Sequence, residues 1–365
     1  MSVTHPQHHA THGASLANAN PNLKILIVRV SSLGDVVHNM PMLTDLQRYC
    51  PGAQIDWVVE EAYAPLVHLH RGVGRVLPFA LRRWRRSLLT ADTRAELRRF
   101  RQALREQAYD LVFDTQGLIK TALVMRMARL APGGRRIGLA NATLGSGYEP
   151  VSRIFHDVSI VVPLRAHAVA RARAVAAGVL GQAAEASGWS ADFGLDAPPL
   201  SIDASAWLPA APYAVFFHGT ARAAKQWAPA HWIAVGRALA ERAMPVLLPW
   251  GSPAEEVAAH ALAAAIPGAQ VLPRLPMMDA VLLAQQAALV VGVDSGLTHV
   301  AAAYCRPTVE LYCDSPRWKT EGDWSPQIIN LGDTGQPPAV ADVLAAIERL
   351  LGPRALPGQT SPAAP

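Results

Sequence analysis

Four short apolar runs, Ile25–Val30, Leu111–Asp114, Tyr213–His218 and Ala288–Val293, each give way within a few residues to a helix-forming stretch. No other feature restricts the fold so tightly. A strand that alternates apolar and polar residues covers one face of a sheet. A strand that is apolar throughout is buried on both faces, which requires helices above and below and hence parallel crossovers. The same rhythm places strands at Gln54–Val59, Arg135–Leu139 and Pro245–Leu248. It places helices at Asp35–Tyr49, Arg94–Gln107, Trp232–Arg242 and Ala254–Ala265, with others starting near Leu118 and Leu297.

The rhythm lapses between residues 178 and 212, where Gly, Ala, Pro and Ser collect (GLDAPPLSIDASAWLPAAP). A chain of 365 residues exceeds one typical core, so two α/β domains are expected, 22–205 and 206–337. The ends, 1–21 and 352–365, read as disordered tails. The first carries His5, His8, His9 and His12 but neither the basic start nor the apolar stretch of a secretory signal. No apolar run approaches the roughly 18 residues a spanning helix needs. Cys50, Cys305 and Cys313 make no CxxC pair and no even framework, which argues against a disulfide scaffold and a structural zinc site. The cytoplasm is the expected compartment.

The net charge of +5 is unevenly spread. Between Leu81 and Gln107 stand nine arginines against three acids, Asp92, Glu96 and Glu106. Such a segment is either a solvated helix face or a site for an anionic partner. No helix-turn-helix or RNP motif accompanies it, so nucleic acid is not the expected partner.

In an open parallel sheet, ligands bind beyond the carboxyl ends of the strands. Four such places carry chemistry-bearing residues. SSLGD puts Asp35 at a helix start, as an N-terminal cap or as a general base, with His38 one turn on. WVVEE places Glu60 and Glu61 at a second strand end, as site acids or as solvated loop residues. FFHGTARAAKQW offers a small hydroxyl-bearing turn at Thr220 and a cation, Lys225, which suits phosphate. VVGVDSGLTH ends a strand at Asp294 and opens a helix at Ser295-Gly296, either a plain cap or a pyrophosphate site. The turns are neither GxGxxG nor a P-loop.

The segments SSLGDVVHNMP, DWVVEE, RRWRR, YDLVFDTQGLIK, KQWAPAHW, LLPWGSP and GVDSGLTH together resemble glycosyltransferase family 9, the ADP-heptose:lipopolysaccharide heptosyltransferases, from Lys24 to about Leu351. DWVVEE, RRWRR and DTQGLIK are similar to the members that add the first heptose to Kdo of the lipid A core. The resemblance implies a GT-B fold, two Rossmann-like parallel-sheet lobes facing across a cleft, with the final helix, 338–351, packed on the first lobe. It implies an inverting, metal-independent transfer with no cofactor beyond the donor ADP-L-glycero-D-manno-heptose. Asp35 falls on the family's catalytic base, and Thr220, Lys225, Glu255, Asp294, Ser295, Gly296 and His299 fall on its donor contacts. Ser295 stands where Thr is common, and Ala221 where a second hydroxyl is often found. The acceptor, a Kdo–lipid A glycolipid, would be gripped by Arg82, Arg83, Arg85 and Arg86, with Trp84 at the interface and Gln116 and Lys120 nearby. The implied location is the cytoplasmic face of the anionic inner membrane. The alternatives are a sister enzyme with another core acceptor and a non-catalytic nucleotide-sugar-binding protein.

Overall fold

A computed structural model of the protein describes residues 22–180, 191–201 and 203–352. The expected N-terminal tail, and the C-terminal one beyond Gly352, lie outside the described residues. The chain divides into two compact units, one ending at Pro198 and including Trp318–Thr320, the other taking up the rest. The expected boundary at 205/206 is therefore seven residues late.

The first unit is built on six parallel strands: β1 (Lys24–Val28), β2 (Gln54–Glu60), β3 (Val73–Phe79), β4 (Ala108–Asp114), β5 (Arg129–Leu139) and β6 (Val158–Ile160), in the order β3-β2-β1-β4-β5-β6. Ile25–Val28 is fully buried because helices cover both faces, as its unbroken apolar character requires. Helix Leu33–Tyr49 follows β1, Ala91–Glu106 precedes β4, Ile119–Met127 follows it, and Ala168–Leu180 packs on Leu33–Tyr49. Leu26, Val28, Val58, Val112, Phe79, Trp84 and Phe100 form one core cluster.

The second unit repeats the plan with β7 (Ala214–Phe217), β8 (Val246–Leu248), β9 (Gln270–Val271), β10 (Leu289–Val293), β11 (Thr308–Tyr312) and β12 (Ile328–Gly332), ordered β9-β8-β7-β10-β11-β12. In each unit the strand order reverses direction between the first and fourth strands, the switch point where doubly wound sheets open a ligand crevice. The expectation of two Rossmann-like parallel-sheet units holds.

The final helix departs from expectation. Val340–Leu351 buries Val343, Ala346 and Ile347, spaced i, i+3, i+4, in the core of the second unit beside Trp227, Val235 and Leu239. The indole N–H of Trp227 donates to the Pro338 carbonyl at 3.0 Å, which fixes its approach. The helix belongs with the second unit because its apolar stripe is spent there.

Candidate functional site

At the switch point of the first unit, β1 runs directly into helix Leu33–Tyr49, with Asp35 in its first turn. The Ser32 N–H and hydroxyl donate to Asp35 Oδ2 at 3.0 and 2.8 Å, closing the helix start. Arg29, 5% exposed, lays Nη2 2.7 Å from Asp35 Oδ1, and its Nη1 donates to the Thr115 carbonyl at 2.7 Å. Burial opposes charge on Asp35, but the Arg29 guanidinium, the Ser32 groups and the nearby Arg171 hold its carboxyl well below the usual carboxylate range. The side chain keeps 31% of its surface exposed. Asp35 thus closes the helix start and keeps a solvent-reachable carboxylate that is ionised near neutral pH.

Arg171 comes from helix Ala168–Leu180, is buried, and donates from Nη1 to Thr143 Oγ1 at 3.1 Å. Burial and the Arg29 charge push its pKa down to about 10, against the pull of Asp35. Two guanidinium groups, those of Arg29 and Arg171, therefore act on the one carboxylate of Asp35. His38 is buried on the same helix, its ring edge-on to His167 at 6.0 Å.

Across the switch point, Asp114 ends β4 with no exposed surface. It accepts from the N–H groups of Gln116 and Gly117 and from the Thr121 hydroxyl, at 2.9–3.0 Å. Burial pushes its carboxyl up to about 6. This turn needs Gly117, which sits at φ +72°, where a Cβ would also come 2.9 Å from Tyr148. It sends the Gln116 side-chain oxygen Oε1 back to accept the Val30 N–H at 3.1 Å, and Lys120 Nζ to Ser31 Oγ at 3.1 Å. Gln116 and Lys120 are therefore brought to the loop that carries Asp35. Burial lowers the pKa of Lys120, as do Arg85, Arg82 and Arg29, while Glu60 raises it.

The RRWRR segment divides. Arg82, Arg85 and Arg86 are exposed, Arg82 reaching the Tyr63 hydroxyl at 3.3 Å. Arg83 is held by Glu61 at 2.9 Å and by Glu96 at 2.8 Å, so its charge is already matched inside the protein. Trp84, expected at the interface, is 3% exposed. It packs on Phe79 and Phe100, and its N–H donates to Glu96 at 2.7 Å. A core position five residues beyond the end of β3 takes the ring because the helix Ala91–Glu106 offers both apolar surface and an acceptor.

In the second unit the two segments leaving β7 and β10 meet. Lys225 Nζ lies 2.6 Å from Asp294 Oδ2, and Asp294 Oδ1 lies 2.9 Å from His299 Nε2. His299 Nδ1 continues to Glu310 Oε1 at 3.1 Å, and Glu310 Oε2 accepts from the Tyr312 hydroxyl at 2.9 Å and the Gly322 N–H at 3.1 Å. Burial disfavours an imidazolium, yet Glu310 and Asp294 carry the His299 pKa up to about 10. Burial likewise disfavours the Asp294 carboxylate, but His299 and Lys225 hold its pKa far below the ordinary value. Ser295 caps helix Gly296–Ala303, its hydroxyl 3.0 Å from Thr298 Oγ1. The unpaired N–H groups of that first turn and Lys225 make an anion-binding corner.

Beside it, Glu255 closes the start of helix Pro253–Ala265, accepting from the N–H groups of Gly251 and Ser252 at 2.8 and 3.1 Å. Gly219 allows this approach, since a Cβ there would sit 2.6 Å from the Glu255 carboxyl. A cavity of about 520 Å³ is lined by Thr220, Gln226, Trp232 and Glu255, among others. Of the expected donor contacts, Thr220 and Glu255 line this cavity, whereas Lys225, Asp294 and His299 are joined to one another where helix Gly296–Ala303 begins, next to Ser295 and Gly296. Among the described residues no cluster of three or more His, Cys, Asp or Glu side chains is arranged to hold a metal ion.

Three charged residues of these sites escaped sequence reasoning: Arg29, Arg171 and Glu310. Arg29 and Glu310 each interrupt an apolar strand (VRV, TVELY), a signal of a paired buried charge. Arg171, in an alanine-rich helix, carries no comparable mark.

The sequence model for glycosyltransferase family 9 (heptosyltransferase) matches residues 97–342. A curated protein named lipopolysaccharide heptosyltransferase 1, from Pseudomonas aeruginosa, is 42% identical over 290 residues, 80% of this chain and 78% of its own. The solved structure titled E. coli heptosyltransferase WaaC with ADP superposes with a TM-score of 0.77 at 33% identity, over 90% of this chain and 100% of that one. The same enzyme with ADP-2-deoxy-2-fluoro heptose gives a TM-score of 0.72, also at 33% identity, over 90% and 99%.

Proposed function

The chain belongs to glycosyltransferase family 9, and from that membership we propose that it transfers L-glycero-D-manno-heptose from ADP-heptose to Kdo of the lipid A–Kdo glycolipid, building the lipopolysaccharide inner core. The observation that carries this reading is the Lys225–Asp294–His299–Glu310 chain set at the start of a helix beside the Glu255 cavity. A diphosphate fits that corner. Lys225 and the first-turn N–H groups take up the charge that grows on ADP as the glycosidic bond breaks, and Glu255 accepts from the ribose hydroxyls. No metal ion and no further cofactor is called for in this scheme, because Lys225 supplies the positive charge.

Asp35 takes the proton from the attacking Kdo hydroxyl. Oδ1 accepts from Arg29 and Oδ2 from both the N–H and the hydroxyl of Ser32, but a carboxylate offers about four acceptor positions, which leaves one on Oδ1. A carboxylate with so low a pKa is a weak base. It accepts the proton only late, when bonding to the anomeric carbon has made the hydroxyl strongly acidic. The result is a single displacement with inversion. Arg82, Arg85 and Arg86, with Lys120, are the cations for the acceptor's phosphates and carboxylates, and Arg83 contributes less because Glu61 and Glu96 neutralise it. The protein works at the cytoplasmic face of an anionic membrane, and none of its described helices is long and apolar enough to cross one.

The test is transfer by the purified protein from ADP-heptose, comparing Kdo–lipid A with an already heptosylated core. Product on the first and little on the second is expected. Preference for the heptosylated core would assign the chain to a later step, and failure with both would leave only donor binding.

A further inference from the structure

The large apolar side chains that the first unit exposes are not scattered. Leu88 and Leu89 follow β3, Ile119 and Leu123 follow β4, Leu144, Val151 and Ile154 follow β5, and Val161 and Leu164 follow β6. All leave the carboxyl ends of the strands. Among the described residues, the second unit exposes only Leu200 and Val257 in this class. The segments are joined to one another. Lys120 feels the charge of Arg85, the Ile119 N–H donates to Glu149 at 2.5 Å, the Glu149 N–H donates to Gly117, and the Leu144 N–H donates to Leu164.

Cations are set between the apolar groups. Ile119, Leu123 and Arg126 form one stripe of their helix, spaced i, i+4, i+7, and all are exposed. Val151 and Ile154 are three apart in a 3-10 turn, with Arg153 between them. Exposed Arg85 and Arg86 precede Leu88 and Leu89. Two acids of these segments accept backbone hydrogen bonds, Glu149 from the Ile119 N–H and Asp157 from the Arg136 N–H.

We propose that this rim is the surface by which the protein lies on an anionic lipid bilayer, with Leu88, Leu89, Val151 and Ile154 entering the headgroup boundary. Single apolar side chains raised on separate turns and spaced by arginine suit a fluid, negatively charged surface that adapts to them. The proposal deepens the reading of a lipid-borne acceptor: it shares Arg85 and Arg86 with that reading and adds apolar residues to which no sugar or phosphate was assigned.

The experiment is co-sedimentation with vesicles of phosphatidylethanolamine and phosphatidylglycerol that contain no sugar acceptor. The wild-type protein should pellet with them, less so at high salt. Leu89→Asp combined with Ile154→Asp should cut the partition coefficient roughly tenfold, since both the buried carbon and the charge match are lost. Leu200→Asp should not. Leu89 is 84% and Ile154 73% exposed, so the variant should fold, and transfer to an acyl-free, water-soluble acceptor should be unchanged. Wild-type protein that stays in the supernatant, or a double variant that pellets as before, overturns the proposal. So does a wild-type dimer in light scattering that the variant loses, which would make the rim an interface between copies. Because the vesicles hold no acceptor, a wrong acceptor assignment would show in the transfer assay and leave the sedimentation result intact.

Discussion

Arg29 and Asp35 carry opposite charges 2.7 Å apart, and their roles separate by substitution. Asp35→Asn should lower kcat about 10²–10⁴-fold, the usual contribution of one general base. The dissociation constant for ADP-heptose, by calorimetry, should stay within error. Equal loss of both would reduce Asp35 to a helix cap. Arg29→Met removes the cation that holds the Asp35 carboxyl low. The acid limb of the kcat/KM profile should then move to higher pH, since the freed carboxyl binds protons more readily, and an unmoved limb would show that some other group titrates there. Lys225→Met should weaken donor binding roughly tenfold by stripping one charge-assisted contact from the diphosphate. Unchanged donor affinity would mean that Lys225 serves only to neutralise Asp294.

At the level of elements, what could be read from the sequence was whatever burial wrote into an unbroken apolar run. β1, β2, β4, β7, β8 and β10 sit within a few residues of their expected places. β3 (VGRVLPF) was illegible because it is an edge strand of mixed burial, holding Gly74, Arg75 and Pro78. β11 was illegible because Glu310 stands in its middle, tolerated through partners on helix Gly296–Ala303, at Tyr312 and at Gly322. That Asp35, Lys225 and Asp294 lie just beyond strands was readable. Arg29 and Glu310 were marked only by the apolar runs that they interrupt, which does not name their partners, and Arg171 not at all, since it acts on Asp35 from a helix far along the chain. The His299 pairing has a pH signature. Its pKa is raised from 6.5 to about 10, so its charge stabilises the second unit fully below about 6.5, and that contribution is lost as pH rises through about 10. The melting difference between wild type and His299→Gln should accordingly be widest below 6.5 and close towards 10. A difference independent of pH would mean that the ring acts by packing alone.

For the whole molecule, each unit owns a separate core, and helix Val340–Leu351 completes the second. Val343 has no exposed surface, so Val343→Asp should destabilise that unit by at least about 3 kcal/mol through burial of an unpaired charge. Scanning calorimetry should show one transition lowered and the other unmoved, and saturating ADP should raise the one that the variant lowers. A uniform shift of both would mean that the units melt as one. The division at Pro198 and Pro199 carries a further consequence. The proposed proton acceptor lies before it, whereas the nucleotide corner and the helix that seals its core lie after it. Recombination between relatives at that joint trades one intact half for another, so hybrid chains should inherit acceptor choice from the parent of the leading half and keep the nucleotide preference of the trailing one.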